Sequence, residues 1–151
     1  MSSPAKATSV LAANTRSTIV PCLRYQDAKA AIEFLCKAFG FEKHAVYEGP
    51  DGSIMHAEPS FGNGLIMLGS KSDTPFAKLQ KLPAAVGGFG TQSPYVIVSD
   101  ADAHHAQAVA AGAKVVLPLK TEDYGGRGYS CLDPEGYLWN FGTYDPWNVT
   151  T

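Results

Sequence analysis

Asp133-Pro134-Glu135-Gly136-Tyr137-Leu138-Trp139-Asn140-Phe141-Gly142 decides how this chain is read. Its first four residues make a turn, because Pro134 fixes φ at the second position and Gly136 tolerates a positive φ. The aromatic-rich run behind them suits a half-buried strand. An earlier stretch has the same form: Phe61-Gly62-Asn63-Gly64 turns, and Leu65-Ile66-Met67-Leu68 follows as an apolar strand. Other landmarks keep step. Six residues separate Pro21 from Asp27 and Pro94 from Asp100, and twenty-four separate Gly40 from Gly64 and Gly112 from Gly136. Asp27 to Gly40 is thirteen and Asp100 to Gly112 twelve, so one single-residue gap aligns the halves. A duplicated module explains this spacing.

Outward from that repeat, each half reads as β-α-β-β-β. A first strand is predicted over 18–25, and Pro21 within it suggests an edge or a bulge. Asp27 is a good helix N-cap. Ala28, Ala31, Ile32, Leu35, Cys36 and Phe39 recur at helical spacing, and Gly40 stops the helix. Cys36 falls on the apolar face and reads as an inert buried thiol. Strands over 42–47, 53–58 and 65–69 complete the half. The second half repeats the order: strand 95–99, a helix over 103–111 capped by Asp100 or Asp102, then strands 114–119, 129–132 and 137–143. Residues 71–92 connect the halves and carry Phe76, Leu79, Leu82, Val86 and Phe89, too apolar for a solvated linker. Residues 1–16 are Ser/Ala/Thr-rich and aperiodic, and read as a disordered tail. One domain over 17–146 is expected, divided into modules 17–70 and 93–146. The class is α+β.

Composition excludes several functions. The chain has 151 residues, 45% hydrophobic and 17% charged, with a net charge of −2. That suits a globular protein with a real core. No basic cluster exists to hold nucleic acid, and no apolar run is long enough to span a membrane. Cys22, Cys36 and Cys131 are scattered without a Cys-x-x-Cys. With no signal peptide, they read as reduced cytoplasmic thiols.

The modules, ending in Asp-Pro-Glu-Gly-Tyr-Leu-Trp, resemble the vicinal oxygen chelate superfamily of glyoxalase I, bleomycin-resistance proteins and extradiol dioxygenases. Arg24-Tyr25-Gln26-Asp27-Ala28, Phe61 through Gly69 and Tyr124-Gly125-Gly126-Arg127-Gly128 carry a further likeness to its glyoxalase-like subgroup. The resemblance implies two tandem βαβββ modules forming a cupped mixed β-sheet, with helices on the outer face. It also implies a homodimer, and for the metal enzymes four ligands from the first and fourth strands of each module.

Those ligand positions fall here at Val20, at Met67 or Leu68, at Pro94 or Tyr95, and at Asn140. None is His, Asp or Glu, the donors such an ion needs. The expectation is therefore no metal and no cofactor. His56 and Glu58 alternate on one strand face and form the alternative metal pair. His44 reads as a surface residue, and Asp100 with His104 as an exposed capping pair. Cys131 reads as packed inside, like Trp139 and Phe141. The resemblance places Val20, Cys22, Met67, Tyr95, Tyr124, Arg127, Tyr129 and Asn140 at the pocket, with Leu138 beside Asn140. Arg127 has two readings: it holds a ligand through its planar fork, or it ties its loop to a carboxylate. Val, Met, Leu and Tyr linings suit an apolar or aromatic ligand. The first expectation is a metal-free small-molecule-binding protein of the bleomycin-resistance type. The alternative is a lyase, isomerase or dioxygenase-like enzyme with a non-standard metal site.

Overall fold

The computed structural model describes residues 10–12 and 14–149, so the expected tail over 1–16 lies largely outside the described residues. Two β-α-β-β-β modules follow one another. The first comprises β1 (Cys22–Tyr25), α1 (Ala28–Phe34), β2 (Glu42–Glu48), β3 (Ile54–Phe61), β4 (Gly64–Leu65) and β5 (Met67–Ser70). The second comprises β6 (Tyr95–Ile97), α2 (Ala101–Ala110), β7 (Lys114–Thr121), β8 (Arg127–Leu132) and β9 (Leu138–Gly142). The fourth strand of the first module is broken at Ile66 into β4 and β5.

Both sheets have the same order. The first runs β1-β5-β3-β2, with β4 also on β3, and the second runs β6-β9-β8-β7. In each, the first and last strands of the module pair in parallel and the rest antiparallel. The duplication read from glycine spacing is thus a duplication of topology. β1 is an edge strand, and Pro21 stands just before it, where a missing N–H costs no ladder bond.

Each helix is capped as its sequence dictates. The Asp27 carboxylate accepts the Ala30 amide at 3.0 Å, and Asp100 accepts Ala103 at 3.0 Å. Asp100, not Asp102, is therefore the second cap. α1 widens into a π-helical turn over Leu35–Phe39, and Gly40 ends it at φ 87°. Cys36 is only half-buried there, packed against the core.

The core lies between the sheets and the helices. Phe39, from the end of the first module's helix, sits 4.6 Å from Phe141 and 5.5 Å from Trp139 of the second module, ring to ring. Cys131 is buried with them, and burial pushes its thiol pKa up to about 12. His104 belongs here too. Its predicted role in an exposed capping pair is wrong, because Ala101, His104 and Ala108 share the buried face of α2. Its Nε2–H donates to the Phe39 carbonyl at 2.8 Å, and its Nδ1 accepts the Tyr129 hydroxyl at 2.7 Å. A carbonyl can only accept, which fixes this tautomer. Burial lowers the His104 pKa, so the ring is neutral.

The Asp133 turn clamps the modules together. Asp133 accepts Tyr25 Oη–H at 2.7 Å and Trp139 Nε1–H at 3.1 Å, and its other oxygen accepts the amides of Glu135 and Tyr137. The Glu135 carboxylate takes the amides of Gln26 and Asp27, and Tyr137 donates to the Arg24 carbonyl at 2.6 Å. The motif that identifies the second module thus holds the strand-to-helix junction of the first.

Candidate functional site

A cleft of about 520 Å³ opens on the face of the second sheet away from α2. Strand alternation builds it. On β9, Trp139 and Phe141 point to the core, so Leu138, Asn140 and Gly142 point to the open face. On β8, Tyr129 and Cys131 point inward, leaving Gly128 and Ser130 for the cleft. Gly128 pairs with Gly142, and Ser130 with Asn140. The floor is thus a glycine pair beside a polar pair. Tyr95, Leu117, Tyr124 and Tyr144 stand around it.

The glycine floor has packing reasons. A Cβ on Gly142 would lie 2.6 Å from the Tyr95 hydroxyl, because the Tyr95 ring folds across that position. A Cβ on Gly128 would lie 2.5 Å from the Phe141 carbonyl. Behind them, Gly126 at φ 79° presses on the Tyr144 backbone, where a Cβ would come within 2.6 Å of its nitrogen. Tyr95 donates to the Tyr144 carbonyl at 2.8 Å, and Tyr124 stands edge-on to Tyr144 at 5.2 Å. Burial raises the Tyr95 pKa, so its hydroxyl stays protonated.

Asn140, at the fourth ligand position, is occupied by the protein. Its Oδ1 accepts Ser130 Oγ–H at 2.6 Å, and its Nδ2 donates to Ser93 Oγ at 2.9 Å and the Pro94 carbonyl at 3.0 Å. The carboxamide pins β9 to β8 and to the approach of β6.

Tyr95, Tyr124, Arg127, Tyr129 and Asn140 all line this cleft, while the predicted residues of the first module lie elsewhere. Tyr129 also lines the cleft, but the residue is only 4% exposed and its hydroxyl binds His104. Its place on the core side follows from alternation with Ser130. Of the two readings of Arg127, the structure shows the tie. Nε donates to Asp102 Oδ2 at 2.8 Å and Nη2 to Oδ1 at 3.1 Å, a bidentate pair on the first turn of α2. Each partner stabilises the other's charge, lowering the Asp102 pKa and raising that of Arg127.

Val20, Cys22 and Met67 lie with the first module. Cys22 pairs with Met67, as Tyr95 pairs with Asn140, so Cys22 occupies the position assigned to Val20. Val20 precedes the strand, which begins four residues later than expected, at Cys22. The equivalent ligand positions are thus Cys22, Met67, Tyr95 and Asn140. A thiol, a thioether, a bonded phenol and a fully used carboxamide do not fit the imidazole and carboxylate set of a divalent site. His56 and Glu58 do touch, with Nε2–H donating to Oε2 at 2.9 Å. Among the described residues, no three His, Cys, Asp or Glu side chains gather to hold an ion. His44 is exposed, as read. The cleft elements missed from sequence are the Gly128–Gly142 floor and Tyr144. Glycines at the same place in both last strands, Gly69 and Gly142, were the available signal.

Comparison with known proteins agrees with this topology. The family model described as Glyoxalase/Bleomycin resistance protein/Dioxygenase superfamily matches residues 17–141. The uncharacterised protein Rv0887c of Mycobacterium tuberculosis is 31% identical over 132 residues, covering 87% of this chain and 77% of its own. The crystal structure of TioX from Micromonospora sp. ML1 is 32% identical, covers 83% of this chain and 97% of its own, and superposes with a TM-score of 0.67. The fosfomycin resistance protein FosX of Listeria monocytogenes, solved with Mn(II) and a dihydroxypropylphosphonic acid, is 16% identical. It covers 84% of this chain and 89% of its own at a TM-score of 0.57, a likeness of fold alone. Among the described residues, no helix is long and apolar enough to cross a membrane.

Proposed function

The chain belongs to the glyoxalase/bleomycin resistance protein/dioxygenase superfamily, and from that premise we propose that it is a metal-free binder of a flat apolar or aromatic small molecule. The Gly128–Gly142 floor carries the reading. The missing side chain at Gly142 lets the Tyr95 ring lie flat across the floor, and Tyr124 and Tyr144 beside it offer further rings for stacking. The polar groups within the floor already bond one another, so a ligand lying on it is held by shape and stacking, with Lys120, Glu122 and Arg127 also lining the cleft. Sequestration needs no reacting group, and the Cys22, Met67, Tyr95 and Asn140 set supplies no imidazole and no carboxylate.

The protein acts in this reading as a cytoplasmic homodimer, with one domain over 17–146. Phe76, Leu79 and Phe89 of the connecting segment are 51%, 82% and 75% exposed, a patch a second chain would cover. An enzyme with an ion at His56 and Glu58 is the weaker reading, since these two donors in contact have no third beside them among the described residues.

Native mass spectrometry of untagged protein tests the assignment. The expected result is a co-purified organic molecule, lost in Leu117→Arg, which fills the cleft from an exposed position. One equivalent of a divalent ion per chain, lost in His56→Ala, would overturn it.

A further inference from the structure

The charged residues of the cleft divide by strand face. Arg127 alternates on β8 in step with the buried Tyr129 and Cys131, and its guanidinium is bound on the helix side, to Asp102 of α2 and to Thr121. On β7, Val115 and Leu119 pack against the core, and Thr121 shares that side with its strand partner Arg127. Lys120 lies between them in sequence and faces the open side, across from Gly128. Glu122 stands beside it, with Lys120 Nζ 3.5 Å from Glu122 Oε2.

Both groups are placed and neither is spent. The Glu122 amide donates to the Gly126 carbonyl at 2.9 Å, and the Glu122 carbonyl accepts the Gly125 amide at 3.1 Å, so the backbone beneath the carboxylate is pinned. The Glu122 side chain is 26% exposed and that of Lys120 66%. Among the described residues, the ammonium and the carboxylate have only each other, at a separation too long for a strong hydrogen bond. The cleft's other polar side chains differ: Ser130 and Asn140 bond each other, and the Asn140 amide also holds Ser93 and Pro94. Gly128, across from Lys120, has no side chain to reach toward the pair.

We propose that Lys120 and Glu122 recognise the amide edge of the ligand, so that the cleft takes a flat heteroaromatic lactam. The proposal rests on the reading of the cleft as a site for a flat aromatic molecule and names its polar edge. In a ring lactam the N–H and the C=O are adjacent and point the same way. A carboxylate can only accept and an ammonium can only donate, so Glu122 takes the N–H and Lys120 meets the carbonyl. A neutral edge with one donor and one acceptor satisfies both charges, whereas an anion leaves Glu122 unmatched and a cation leaves Lys120 unmatched. The rings lie among Tyr95, Tyr124 and Tyr144, which line the same cleft. A hydrocarbon of the same shape gains only the stacking.

The test is an NMR titration of isotopically labelled protein with carbostyril, N-methylcarbostyril and quinoline, followed through the Gly128 and Gly142 amide signals. Carbostyril carries the whole edge, its N-methyl derivative lacks the N–H, and quinoline lacks both the N–H and the carbonyl. Carbostyril is expected to bind at least tenfold more tightly than either, because each analogue leaves a polar group of the site unmatched. In Glu122→Met its advantage over N-methylcarbostyril is expected to vanish while quinoline binding is not weakened. Lys120→Met, at the more exposed member, is expected to weaken carbostyril several-fold and serves if Glu122→Met does not fold. Equal affinity for all three, with the cleft signals shifting, would overturn the lactam edge and leave the aromatic reading standing. No saturable shift from any of them up to its solubility would overturn both. The full advantage of carbostyril retained in either variant would also overturn the proposal.

Discussion

Tyr25 donates its hydroxyl proton to Asp133 across 2.7 Å, tying the first strand of the first module to the last turn of the second. The same carboxylate satisfies the Trp139 indole and two turn amides. Asp133→Ala leaves buried donors unpaired, each at a cost of about 1–3 kcal/mol. The expected loss is about 3 kcal/mol or more, read as a lower denaturant midpoint. A change below about 0.5 kcal/mol would show that the modules are held by their apolar core alone.

His104 predicts an acid weakness. Its folded-state pKa lies below the ordinary value of 6.5, because burial disfavours the charged ring. The unfolded chain therefore binds the proton first as pH falls. The stability from His104 is complete above about pH 6.5 and is lost below it, down to the lowered folded pKa. Urea midpoints between pH 7.5 and 5 should fall with pH, and His104→Gln should flatten that slope. An unchanged slope would mean that another group sets it.

Arg127 and Asp102 are both substantially exposed, so their ion pair adds little to global stability. Its work is local. Asp102→Ala should leave the thermal midpoint nearly unchanged while amide exchange in the 123–127 loop quickens. A large drop in midpoint with no change in loop exchange would contradict that role.

Assembly follows from the apolar connecting segment. Sedimentation at micromolar concentration should give a dimer, and Phe76→Ser with Phe89→Ser should shift it toward monomer. A ligand that contacts both chains would tighten the dimer and raise the thermal midpoint together. A monomer, unaffected by either change, would refute the shared surface.

Element order was legible because glycines and caps punctuate both halves alike. Asp27, Gly40, Asp100 and Gly112 act as their positions imply. The core face of β9 was also legible, since Trp139 and Phe141 alternate with Asn140. What the sequence could not show was contact between the halves. The two hydrogen bonds of His104 come from Phe39 and Tyr129, distant in sequence, so its local pattern resembled a solvated helix. Tyr129 does border the cleft, but alternation with Ser130 on β8 buries it, and its partner His104 is 25 residues away in sequence. The Asp102 partner of Arg127 was likewise hidden by 25 residues of separation.

Phe39 makes the duplicated halves unequal. Its position before Gly40 corresponds to Ala111 before Gly112, so a ring on one side answers a methyl on the other. Fully buried, that ring packs on Trp139 and Phe141 of the opposite half. If the gene were cut within 71–92, the two fragments would be obligate complements. Two copies of the second fragment could not substitute for the pair, because each would bring Ala111 to a space that only Phe39 fills. The descendants of one duplicated ancestor have become lock and key, and neither half can now be exchanged for its twin.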